Sequence, residues 1–144
     1  MYDDILLPTD GSDGIAAAAD HAANFAEKFG STIHVLSVVD TRNRFESPTS
    51  GLSQEAWDDA EAERAERAVA DTVARLPDDI DVETSIVDGV PRAEILDYID
   101  ETGMDLVVMG THGRTGLDHY LIGSVAEKVV RRSPVPVVTV RLDG

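Results

Sequence analysis

Short apolar runs alternate along this chain with longer stretches of helical periodicity, and this alternation limits the folds available to it. Five segments have the composition of strands: residues 5–7, 32–39, 82–86, 106–109 and 135–140. Between them, apolar side chains recur every three or four positions, which predicts helices that begin near Ile15, Ser53, Pro91 and Ser124. Alternating strands and helices favour a parallel sheet with right-handed crossovers and helices on both faces. We therefore expect a doubly wound α/β fold.

No linker, internal repeat or low-complexity segment divides the 144 residues, so we expect one domain over 1–144. Cysteine is absent, which excludes disulfides, thiolate metal sites and cysteine catalysis. No apolar run approaches the roughly 18 residues of a membrane span. The acidic start at Asp3 and Asp4 does not resemble a signal peptide. We expect a cytoplasmic protein without a membrane partner.

Acidic residues dominate the charge of the chain. Twenty-eight acids and twelve bases give a formal net charge of −16, which argues against a nucleic-acid partner. One explanation is an ordinary acidic protein that self-repulsion keeps in solution. The other, which we favour, is a halophilic origin, because high salt screens that repulsion. Some of the charge, the run from Glu61 to Arg67, is predicted to form a solvated helix face.

A glycine-rich loop follows the fourth predicted strand. Its spacing is Gly110-x2-Gly113-x9-Gly123-Ser124, longer than the usual βα connection of about 2–6 residues. Glycines allow close backbone approach and positive φ angles, and the N–H groups of a helix that begins near Ser124 favour anions. A phosphate site is therefore one interpretation; a plain connector ending in an N-cap serine is the other. The P-loop, dinucleotide, nucleophile-elbow and zinc-protease motifs are missing from the sequence.

This spacing matches the G-x2-G-x9-G-(S/T) motif of the ATP-binding universal stress proteins, and the chain resembles that family over nearly its whole length. Residues 5–12 resemble the opening strand and loop of the family, 89–91 the start of its third helix, and 105–113 and 134–138 its last two strands. The resemblance implies a Rossmann-like sheet with strand order 3-2-1-4-5 and four helices. It also implies an adenine-nucleotide site that binds ATP.

Carried over residue by residue, the resemblance implies a set of nucleotide contacts. Asp10 would contact adenine or ribose and could hold Mg²⁺; its alternatives are a helix N-cap or a solvated acid. Val38 would meet adenine, and His112 and Arg114 could place a cation near phosphate. The full predicted set is Pro8, Thr9, Asp10, Val38, Met109, Gly110, His112, Gly113, Arg114, Gly123, Ser124 and Val125.

The resemblance implies an ATP-binding protein that acts as a regulatory switch in a stress response. We find no nucleophile paired with a base and therefore predict no catalytic residue. Slow ATP hydrolysis and a dimeric scaffold with a vestigial pocket are the alternatives. The strand order that the resemblance implies puts the last strand, Val135–Val140, at a sheet edge, where its apolar residues favour a homodimer with the two final strands antiparallel. A monomer, with the edge protected by Pro136 and Arg141, is the alternative.

Overall fold

Five strands alternate with four helices in the computed structural model, which describes residues 1–12, 14–41, 54–111 and 123–141, with the backbone alone for 54–57. The elements are β1 (Asp4–Pro8), α1 (Ile15–Phe29), β2 (Thr32–Asp40), α2 (Gln54–Ala74), β3 (Val82–Gly89), α3 (Pro91–Thr102), β4 (Leu106–Gly110), α4 (Ser124–Arg132) and β5 (Val137–Val140). No helix in these ranges is long and apolar enough to cross a membrane.

The strands form one parallel sheet in the order β3-β2-β1-β4-β5, which confirms the expected doubly wound fold. β3 and β5 lie at its edges, as predicted. The last strand is shorter than predicted, because Val135 and Pro136 precede it. The Pro136 carbonyl still accepts a hydrogen bond from the Val107 N–H, at 3.0 Å. A proline has no N–H to donate, which suits this position at the start of an edge strand.

Alternate side chains of the strands pack into separate cores on the two faces of the sheet. On one face, Ile5, Leu7, Ile33 and Val35 pack against α1 and α2; on the other, Leu6, Leu36, Val107 and Met109 pack against α3 and α4. The contacts of α1 come largely from buried alanines, namely Ala18, Ala19, Ala22, Ala23 and Ala26. Such small side chains let this helix lie close to the sheet.

The turn from β3 into α3 depends on Gly89. Its φ of +152° is one that other residues rarely adopt, and a Cβ there would lie 2.6 Å from Glu94 Cγ. Pro91 then occupies the first turn of α3, where a missing N–H costs no hydrogen bond. The sequence prediction for this helix start is confirmed.

His34 forms a polar cluster at the opposite end of the sheet from the carboxyl ends of the strands. Its side chain is buried, with Nε2 2.9 Å from Asp4 Oδ1 and Nδ1 3.2 Å from Glu83 Oε2. The Tyr98 hydroxyl lies 3.4 Å from the same Nδ1. This His34 cluster therefore joins β1, β2, β3 and α3 through polar contacts.

Candidate functional site

A cleft of about 270 Å³ opens at the carboxyl ends of β1, β2 and β4. β2 and β4 lie on opposite sides of β1, so strand order reverses there, which is where doubly wound folds place their ligands. Four helices also reach it. The lining residues are Pro8, Thr9, Asp10, Ser12, Ile15, Leu36, Ser37, Val38, Asp40, Glu61, Arg64, Ala65, Ala68, Pro91, Ile95, Met109, Gly110, Thr111, Gly123, Ser124, Val125 and Ala126.

The structure brings together every predicted site residue that it describes. Pro8, Thr9, Asp10, Val38, Met109, Gly110, Gly123, Ser124 and Val125 all line this cleft. Their contacts with a nucleotide remain predictions. His112, Gly113 and Arg114 lie outside the described residues.

Hydrogen bonds within the protein already engage the Thr9 hydroxyl. Thr72 Oγ1 lies 2.9 Å from Thr9 Oγ1 and 2.7 Å from the Ala68 carbonyl oxygen. A hydroxyl carries one proton and a carbonyl can only accept. Thr72 therefore donates to Ala68, and Thr9 donates to Thr72. The Gly11 N–H in turn donates to Thr9 Oγ1, at 3.2 Å. Thr9 consequently anchors the loop after β1 to α2.

The same loop holds Asp10, whose Oδ1 accepts a hydrogen bond from the Ser12 N–H at 2.9 Å. The N-cap of α1 is Gly14, which excludes Asp10 from the capping role considered from the sequence. Between Asp10 and Ser12, Gly11 has a φ of +79°, and a Cβ there would lie 3.4 Å from Ala68 Cβ. A glycine at this position lets the loop turn back tightly against α2.

The ends of β4 and α4 meet on the other side of the cleft. The Thr111 N–H donates to the Val140 carbonyl at 3.0 Å, and the Gly123 N–H donates to the Thr111 carbonyl. This second bond closes the glycine-rich loop at its base and places Gly110 beside the start of α4. The first N–H groups of a helix have no intrahelical partner and can bind an anion.

Two expectations about this loop need correction. The N-cap of α4 is Gly123 and no side chain caps the helix, so Ser124 is not the N-cap serine that the connector interpretation invoked. Gly110 and Gly123 also lack the positive φ that the sequence allowed, and a φ of −58° at Gly123 suits any residue. Gly110 and Gly123 instead matter because they carry no side chain, so a ligand can approach their backbone.

One wall of the cleft comes from α2, and the sequence did not predict it. Glu61, Arg64, Ala65 and Ala68 line the cleft. Arg64 is exposed, as expected of a solvated face, whereas Glu61 is largely buried, which corrects that expectation for Glu61. Arg64 Nη1 lies 3.2 Å from Glu61 Oε1; the Arg64 side chain is 49% exposed and that of Glu61 only 12%. A helix of 21 residues spans about 32 Å, so α2 extends past the end of the five-residue β1.

The sequence prediction also omitted Ser37 and Asp40 from the site, although both lie near Val38 at the end of β2. Parallel strands end at one edge of the sheet, so residues next to Val38 at the end of β2 should meet the same cleft. Within the ranges that the structure describes, no group of three His, Asp or Glu side chains could hold a metal ion. A Mg²⁺ contact by Asp10 thus stays a prediction.

Comparison with known proteins supplies independent information on this fold and cleft. The sequence model of the universal stress protein family matches residues 1–141. Universal stress protein MJ0531 of Methanocaldococcus jannaschii is 36% identical over an alignment of 147 positions, which covers 98% of this chain and 83% of that protein. The solved structure of MJ0577 from the same organism is 31% identical, with a TM-score of 0.83 and coverage of 97% and 96% of the two chains. A universal stress protein in complex with cAMP is 25% identical, with a TM-score of 0.68 and coverage of 98% of each chain.

Proposed function

The chain belongs to the universal stress protein family, and from this membership we propose that its cleft binds ATP and that the bound nucleotide switches a regulatory state in a stress response. Support comes from the relative that forms a complex with cAMP, an adenine nucleotide. The observation that carries the proposal is the position of the cleft, where Gly110 and the start of α4 face the ends of β1 and β2.

The two sides of the cleft suit the two parts of a nucleotide. The first turn of α4 offers backbone N–H groups, and the missing side chains of Gly110 and Gly123 leave room for phosphates beside them. Val38 and Asp10 offer an apolar surface and a carboxylate acceptor, which suit adenine and ribose. In this proposal, Asp10 also helps to hold Mg²⁺ on the phosphates, while His112, Gly113 and Arg114 complete the phosphate loop.

A glycine substitution separates binding from folding. In Gly110→Ala, the added Cβ would lie 3.5 Å from the Gly14 carbonyl oxygen, an ordinary contact distance that the fold tolerates. In this proposal, the same methyl would take up room at the end of β4 that the phosphates need. We expect an unchanged melting temperature and an ATP affinity at least about tenfold lower, roughly 1.4 kcal/mol, by calorimetry at fixed KCl. Unchanged affinity would contradict phosphate binding at this loop.

The nucleotide released from the purified protein discriminates between the proposal and its alternatives. The protein is prepared without added nucleotide and denatured, and the released compound is identified by mass spectrometry. ATP or ADP supports the switch, and steady production of ADP from added ATP would instead indicate slow hydrolysis. An empty protein that binds no ATP on titration would favour the vestigial scaffold.

A further inference from the structure

We infer that Arg64 is a cation through which this cleft binds the phosphate of its ligand, an inference that rests on the proposed nucleotide site. Among the lining residues that the structure describes, carboxylates outnumber cations three to one: Asp10, Asp40 and Glu61 against Arg64. The whole chain carries a net charge of −16, so the surrounding field also opposes an anion. An anionic ligand in such a cleft needs a nearby positive charge.

The geometry of the Arg64–Glu61 pair leaves the guanidinium able to take a second partner. A guanidinium has five N–H donors, and its contact with Glu61 is made by Nη1, at 3.2 Å. Glu61 is its single ion-pair partner among the residues described. The Glu61 side chain is largely buried while that of Arg64 is half-exposed, so Glu61 helps to position a positive charge that a ligand can still reach. Arg binds phosphate through two parallel N–H donors, which strengthens and orients the contact.

Arg64 approaches the cleft from the face of the sheet opposite to α4. α2 packs with α1 on one face and α4 lies with α3 on the other, yet both helices line the same cleft. In this inference the phosphate lies between the two, with the start of α4 on one side and Arg64 on the other. The glycine motif contains no part of this second contact, so Arg64 adds a determinant of ligand charge that the motif does not encode.

The test compares a charged ligand with its neutral counterpart. Calorimetric titrations of AMP and adenosine are carried out on the wild-type protein, Arg64→Gln, Arg64→Lys and Arg67→Gln at one KCl concentration. Arg67 lies one turn further along α2, is exposed and does not line the cleft, which makes it the matched control. Melting temperatures confirm that each variant folds.

We expect Arg64→Gln to weaken AMP binding by about tenfold or more and adenosine binding by less than about twofold, because hydrogen bonds between charged groups are the strong ones. Arg64→Lys should keep part of the AMP affinity, and Arg67→Gln should change neither ligand. Equal losses for AMP and adenosine, or no loss for either, would overturn the role of Arg64 while the nucleotide site stands. A wild-type protein that binds neither AMP nor ATP would overturn the proposed function and this inference together.

Discussion

Removal of the Thr72 hydroxyl tests the hydrogen-bond chain that fixes the loop after β1. Thr72→Val keeps a β-branched side chain in α2 and replaces a fully buried hydroxyl by a methyl group. Two contacts disappear: the bond to the Ala68 carbonyl and the bond from the Thr9 hydroxyl. At a net value of about 0.5–1.5 kcal/mol for each hydrogen bond, the free energy of unfolding should fall by about 1–3 kcal/mol.

Urea unfolding at fixed KCl measures this change, and a double-mutant cycle with Thr9→Val isolates the bond between the two hydroxyls. We expect the double variant to lose less than the sum of the single losses, by about 0.5–1.5 kcal/mol. Thr102→Val is the control, because its hydroxyl bonds to the Tyr98 carbonyl on an exposed helix end where water can replace it. Strictly additive losses would refute the direct bond between Thr9 and Thr72.

Three further predictions follow from the charge, the sheet edge and the β3–α3 turn. Screening of the net charge of −16 should raise the melting temperature as KCl increases from 0.1 M to 1 M, where the Debye length falls from about 10 Å to about 3 Å; a flat or falling melting temperature would contradict a halophilic origin. We propose a dimer through β5, and we expect Thr139→Pro to dissociate it. The carbonyls of Pro136 and Val140 accept hydrogen bonds from β4. Because backbone groups alternate in direction along a strand, the N–H of Thr139 faces the open edge, where proline would remove it. Sedimentation of the wild-type protein as a monomer at micromolar concentration would exclude this dimer. Gly89→Ala should cost about 1–3 kcal/mol in urea unfolding, because of its positive φ and the contact with Glu94; a loss that Glu94→Ala fully relieves would assign the cost to the contact rather than to the backbone.

Residues whose surroundings follow from sheet periodicity could be placed from the sequence. The apolar run that contains Val107 predicts a central strand, and parallel strand ends bring Val38 and Met109 to one edge. Strand order came from the family resemblance. The charge pattern correctly predicted an exposed Arg64, but it did not indicate that α2 places this residue at the wall of the cleft.

The Thr9 hydroxyl illustrates a second limit of sequence reasoning. A threonine at the end of a strand next to a ligand-binding loop is a natural ligand contact, and nothing local argues otherwise. Its actual partner, Thr72, is 63 residues away along the chain. Such a pairing depends on how closely α2 packs over β1, which no short motif specifies.

The His34 cluster disfavours sheets in which the strands pair in the wrong register. Because side chains alternate along a strand, a one-residue slip of β2 would move His34 to the opposite face of the sheet, among the apolar residues under α1 and α2. The imidazole would lose Asp4 and Glu83, and a buried polar group without a partner costs about 1–3 kcal/mol. Three strands must therefore be aligned correctly for one side chain to be satisfied. The cluster therefore contributes to the specificity of strand register, because it destabilises misaligned sheets as well as stabilising the correctly aligned one.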